Sequence, residues 1–182
     1  GSDIDGEAAG DNSGHSVSLS SDGSVIAIGA TGANDDNGSN SGHVRIYQNV
    51  SGTWTQVGSD IDGEAADDYS GNSVSLSSDG SVIAIASYLS DGNGDNNGHV
   101  SIYQNVNGNW TKIANNIDGE AEWDQSGESI SLSSNGLVVA IGATGNDANG
   151  ARSGHVRLYQ IDLDTTTQLT EFQALNYIAS NP

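Results

Sequence analysis

The stretch Ser16–Ile28, SVSLSSDGSVIAI, decides how this chain folds. From Ser16 to Ser20, Val17 and Leu19 alternate with serines, the period-two pattern of a strand with one apolar face. Ser21-Asp22-Gly23 then turns the chain. Val25-Ile26-Ala27-Ile28 is apolar without a break, as expected of a strand covered on both sides, and the small Ala27 and Gly29 let a neighbour approach closely.

Outward from this hairpin, residues 31–42 are rich in Gly, Asn and Asp, cannot hold a core and are predicted to lie at the surface. Residues 43–48 alternate again, with Val44 and Ile46 on one face and His43, Arg45 and Tyr47 on the other. Ser51-Gly52 makes a hairpin turn, and Trp54 to Val57 supplies a fourth strand. The unit is therefore an all-β, four-stranded antiparallel meander.

The same unit is written three times, beginning at Gly1, Gly58 and Ala114, at a spacing of 56 or 57 residues. Each copy runs IDGEA, SG, a version of SVSLSSDGSVIAI, and GHVRIYQ or a close variant. Self-similarity over nearly the whole chain marks an array of stacked supersecondary units. It divides the chain into repeats at 1–57, 58–113 and 114–164, with a tail at 165–182.

Composition limits the partners. Four Lys+Arg against 24 Asp+Glu give a net charge of −20, which argues against nucleic acid or membrane insertion and favours cations. The acids avoid the apolar runs and sit in the connections. Cysteine and methionine are absent and no apolar stretch is long enough for a signal or a membrane span, so the chain is expected to be a processed product or a fragment.

SGHSVSLSSDGSVIAIGA, a Gly/Asn/Asp loop, GHVRIYQ and GTW together resemble the FG-GAP repeat of integrin-alpha-like β-propellers. Ser-Gly stands where that family has Phe-Gly, and Ile28-Gly29-Ala30 where it has Gly-Ala-Pro. The resemblance implies propeller blades, an extracellular or cell-surface setting, and ligand binding on a loop face, often with divalent cations. One departure matters. The family's calcium commonly sits in a DxDxDG-like loop between the first two strands, and here that loop is only Ser20–Ser24, with one carboxylate where calcium wants six to eight oxygens.

Propellers close with four to eight blades, so three blades imply a longer parent, a homo-oligomer in which a second chain adds three more, or another threefold closure such as a β-trefoil or β-prism. The third copy lacks its Trp, whose place falls at Thr166, and its missing outer strand is expected from a neighbour. In the tail, Thr170-x-x-Gln173 reads as a capping box, and Phe172, Leu175 and Ile178 recur at helical spacing, predicting a short C-terminal helix.

The acidic connections are the main chemical candidates. Asp3, Asp5, Glu7 and Asp11 place oxygens as a partial calcium loop does; Asp60, Asp62, Glu64 and Asp68 repeat the pattern, and Asn116, Asp118, Glu120 and Asp124 keep it with one charge fewer. Calcium is the expected ion. The plainer alternative is that these carboxylates cap turns while Ile4, Ile61 and Ile117 plug the space between blades.

His43, His99 and His155 head equivalent strands and could converge on a metal or lock a turn. His15, with Asn72 and Glu128 as counterparts, reads as solvated. Recurring aromatics, Trp54, Trp110, Tyr47, Tyr103 and Tyr159, suit packing between blades. Aromatics that break the repeat are better ligand candidates. Trp123 stands where the other copies have Gly10 and Asp67, Tyr69 where they have Asn12 and Gln125, and Tyr88 where the first has Thr31.

No recurrent catalytic constellation appears, so an enzyme is not expected. The sequence predicts an extracellular recognition or adhesion module for a protein or glycan. Its alternative is a structural repeat that assembles edge to edge.

Overall fold

The structure is a computed structural model that describes residues 3–162 and 170–171. In the first repeat β1 (Ser13–Leu19), β2 (Val25–Ala30), β3 (His43–Val50) and β4 (Thr53–Gln56) form an antiparallel meander, with β5 (Ile61–Asp62) added to the outer edge of β3. In the second, β6 (Ser73–Leu76), β7 (Val82–Ser87), β8 (His99–Val106) and β9 (Asn109–Lys112) do the same, with β10 (Ile117–Asp118) beside β8. The third sheet runs β11 (Ser126–Leu132), β12 (Val138–Ala143), β13 (His155–Gln160) and β14 (Thr170–Glu171).

The fifth strand, which patterning does not predict, comes from IDGEA. Ile61 pairs with Val44 and Asp62 with His43, and Ile117 and Asp118 pair likewise with Val100 and His99. The second and third repeats thus begin by completing the sheet before them. Two residues have no period, so sequence alternation cannot show such a strand.

Two expectations about the third copy are corrected. Its outer strand is supplied by its own chain, because Thr170 pairs with Gln160 and Glu171 with Tyr159. Thr170 therefore lies in a strand and does not cap a helix. The rest of the expected helix, with Phe172, Leu175 and Ile178, lies outside the described residues.

The short turn after β1 is built by its own side chains. Asp22 Oδ1 accepts hydrogen bonds from the Ser24 N–H (2.9 Å) and from the Ser20 and Ser24 hydroxyls (2.7 and 2.8 Å), which pull its pKa down to about 2. Asp79 repeats this arrangement between Ser77 and Ser81. The carboxylate Oδ1 is thereby committed to shaping the turn.

The sheets stack in series over two separate cores. Val25, Ala27, Val44 and Ile46 of the first meet Val74, Leu76, Ile83 and Ile85 of the second. Val82, Ala84, Val100 and Ile102 of the second meet Leu132, Val139, Ile141 and Tyr159 of the third. A trefoil or prism would instead close all three units around one shared core. Ile61 and Ile117 are buried in these layers. Contact is close enough to require glycine: a Cβ on Gly29 would overlap the Gly71 carbonyl of the next sheet.

Candidate functional site

Two sets of loops share one end of the stack: the connections carrying IDGEA, and the loops between the second and third strands of each sheet. Both lead into or out of the ends marked by Ser13, Ala30 and His43, which neighbour one another in register. Eighteen of the 24 acidic residues fall in these loops, between Asp3 and Asp147. The opposite end carries the Asp22 and Asp79 turns.

The carboxylates within one connection do not converge. Asp11, Asp68 and Asp124 are buried, and each accepts a backbone N–H three residues upstream: Ala8 at 2.7 Å, Ala65 at 3.0 Å and Ala121 at 3.1 Å. They cap the turn that follows IDGEA. Burial, only partly offset by the Ala65 N–H, raises Asp68 to about 6. Glu7 pairs with Arg45 at 3.4 Å, Glu64 with Lys112 at 2.5 Å, and Glu120 with Arg157 and His155 at 3.7 Å each. Burial works to raise the Glu64 pKa, but hydrogen bonds from Lys112 and Asn116 outweigh it and hold the carboxylate below its ordinary value. Asp60 accepts from Gln56 at 2.5 Å, and the Asp5 carbonyl accepts from Arg45 at 2.7 Å. Asp3 is exposed.

Among the described residues, two groups bring three ligand atoms within 4.8 Å of one another: Glu7, His43 and Asp60, and Glu120, Asp124 and His155. Each joins a histidine from the head of a third strand to acids from the loops, and the first spans two repeats. These groups could hold a metal ion. His43 is buried, with Nε2 lacking a hydrogen-bond partner. In the second sheet Lys112 and Asn116 take the acid's oxygens beside His99, whose pKa burial lowers. The three histidines therefore serve three separate neighbourhoods and do not converge. Nothing in linear order shows that Asp60 returns to His43, so acids and histidines look like separate candidates in the sequence.

The aromatics that break the repeat lie at the same end. Tyr69 and Tyr88 meet edge to face with centroids 6.3 Å apart, whereas Trp123 makes no ring contact among the described residues and is 57% exposed. Beside the tyrosine pair, His15 Nε2 donates to Asn72 Oδ1 at 3.2 Å and Asn72 Nδ2 donates to the Glu128 carbonyl at 3.3 Å. Glu128 in turn accepts from the Thr144 hydroxyl. His15, expected from sequence to be merely solvated, and its counterparts Asn72 and Glu128 form a polar chain across all three repeats.

Residues 4–47 match the FG-GAP repeat family. The first repeat is an FG-GAP repeat. The second and third copies share its sequence. No curated protein matches the chain significantly.

Three solved structures are similar in fold. A Bacteroides uniformis protein provisionally assigned as a 6-phosphogluconolactonase is similar with a TM-score of 0.56 at 15% identity, covering 86% of this chain and 38% of its own. Hydrazine synthase of Kuenenia stuttgartiensis gives 0.51 at 14%, covering 96% and 39%. The periplasmic gluconolactonase of Pseudomonas aeruginosa gives 0.50 at 17%, covering 80% and 38%. All are propeller-like, and at these identities the likeness is one of fold. This chain spans less than two fifths of each. Its antiparallel sheets have the fold of propeller-like proteins.

Proposed function

We propose that the chain is a non-catalytic, extracellular recognition module that binds a protein or glycan through its acidic loop face. The observation that carries this is backbone conformation. Tyr69 and Trp123 sit in the left-handed region, at φ 53° and 65°, where sister copies place Asn12 and Gln125, and Gly10 and Asp67. That region costs a side-chain-bearing residue roughly 1–2 kcal/mol, and bulky residues are rare in it. Trp123 is mostly exposed, so core packing offers no compensation. Rigid aromatics on loops held by a stiff scaffold suit stacking on a sugar ring or anchoring a protein. The FG-GAP match supports the extracellular setting, which is common for such repeats.

Retention of the wild type, Trp123→Ala and Tyr69→Ala on glycan and protein arrays tests this reading. Loss of retention with thermal stability preserved supports it; unchanged retention in both variants removes it.

Cation assistance enters in a narrower form than an acidic calcium loop. Among the described residues the carboxylates of one connection do not converge, so they do not present the six to eight oxygens that calcium wants. One imidazole and two carboxylates at Glu7, His43 and Asp60 suit zinc or a similar ion better. Melting in EDTA, calcium and zinc decides: a zinc-dependent rise lost in His43→Ala supports the site, and no rise with either ion removes it.

A further inference from the structure

A cleft of about 290 Å³ opens in the second repeat, between its IDGEA connection and the loop that follows β7. Glu64, Asp68 and Asp91 bring carboxylates to it, and Ala65 and Ala66 bring methyl groups. Ser90 lines the same cleft, is 2% exposed, and its hydroxyl has no hydrogen-bond partner among the described residues. A buried hydroxyl left unpaired costs free energy, and a donor bound in the cleft would satisfy it.

The charge of the cleft is only partly answered by the protein. Lys112 and Asn116 hold Glu64. Asp68 accepts the Ala65 N–H and Asp91 the Asn96 N–H at 2.7 Å, but among the described residues no cation pairs with either. Burial, with the charges of Glu64 and Asp91 beside it, holds the Asp68 pKa high, so positive charge in the cleft would relieve it. Burial also lowers the His99 pKa, which leaves the imidazole on this wall uncharged near neutrality.

These features separate the possible ligands. In the first repeat the equivalents Glu7, His43 and Asp60 come within 4.8 Å of one another, as a metal ion requires. Here Asn116 replaces Asp60, and among the described residues no three acid or imidazole groups of the cleft converge so closely. Carboxylates held apart suit positive charges spread along a chain better than one metal ion. A neutral sugar could donate to them but would leave their charge unopposed.

We propose that this cleft binds a short aliphatic diamine or polyamine, whose ammonium groups pair with Asp68 and Asp91 and donate to the Ser90 hydroxyl while its methylenes lie against Ala65 and Ala66. Lys112 makes the same kind of contact within the chain, an alkylammonium on Glu64. Neither Trp123 nor Tyr69 lines the cleft, so this inference stands apart from the ligand reading above.

Calorimetric titration of the full chain with spermidine at physiological salt tests it. Binding is expected, and Asp68→Asn and Asp91→Asn are each expected to weaken it about tenfold or more. Ser90→Ala is expected to weaken it about fivefold. That variant leaves net charge unchanged, so its loss does not come from the general attraction of an acidic protein for polycations. Asp36→Asn removes an exposed charge from the matching loop of the first repeat and is expected to bind as the wild type does. Melting curves check that each variant is folded. Absence of binding, a loss in Asp36→Asn equal to that in Asp91→Asn, or undiminished binding by Ser90→Ala overturns the inference. So does displacement of spermidine by calcium at equal concentration, which would assign the cleft to a metal ion.

Discussion

Lys112 Nζ lies 2.5 Å from Glu64 Oε1, and this pair replaces the contacts Arg45 makes with Glu7 and Arg157 with Glu120. The second repeat has Ser101 where the others have arginine, and Lys112 where the first has Gln56. The cation has moved to another strand, yet it reaches the same glutamate. What the fold retains is a positive charge beside the glutamate of IDGEA.

A double-mutant cycle on Lys112→Ala and Glu64→Ala is expected to give a coupling below about 1 kcal/mol, because both groups are partly exposed. Ser101→Arg with Lys112→Gln should restore the pattern of the first repeat at nearly unchanged stability. Urea unfolding measures both; a loss above about 2 kcal/mol in the swap would contradict the interchangeability of the two cations.

Asp68 has a pH signature. Its folded-state pKa near 6 lies above its ordinary 3.8, so the folded protein holds this proton more tightly than the unfolded chain does. The resulting stability is fully present below about pH 4 and is lost as pH rises through 6. Asp68→Asn keeps an oxygen for the Ala65 N–H and removes the charge. With allowance for solvent screening, it should gain about 1 kcal/mol at pH 7 and nothing near pH 4. An equal effect at both pH values would refute burial as the cause.

Trp123→Gly should separate strain from recognition. Relief of the left-handed backbone and the added freedom of glycine in the unfolded chain oppose each other, each at about 1 kcal/mol. Melting temperature should therefore stay nearly constant while ligand retention falls. A marked drop in stability would mean that the indole packs against the fold.

Two glycine substitutions should differ sharply. Gly29→Ala drives a methyl group into the Gly71 carbonyl and is expected to cost about 3 kcal/mol or more. Gly52→Ala meets open space and only a φ of 89°, costing roughly 1–2 kcal/mol. Chemical denaturation ranks them, and similar costs would refute close approach between sheets as the reason for Gly29.

Much of the fold was legible because its signals are local. SVSLSSDGSVIAI carries a strand, a turn and a buried strand in consecutive residues, and three copies of it announce an array. Ile61–Asp62 and Thr170–Glu171 were not legible as strands, since pairs of residues show no alternation. The candidate site was legible only in its residue types. Asp68 has the composition of a ligand and the hydrogen bonds of a turn cap, and the difference lies in the Ala65 N–H that only backbone geometry reveals.

By itself the sequence determined the repeat, its strands and the excess of acid in the connections, because each depends on neighbours along the chain. Tertiary structure alone decided which acids meet which cations, which aromatics stand free, and that Val17 is exposed while the equivalent Val74 is buried. Those two valines occupy the same place in nearly the same words. Their fates differ because burial depends on what is stacked against a strand: Val74 lies against the first sheet, and among the described residues no sheet lies against Val17.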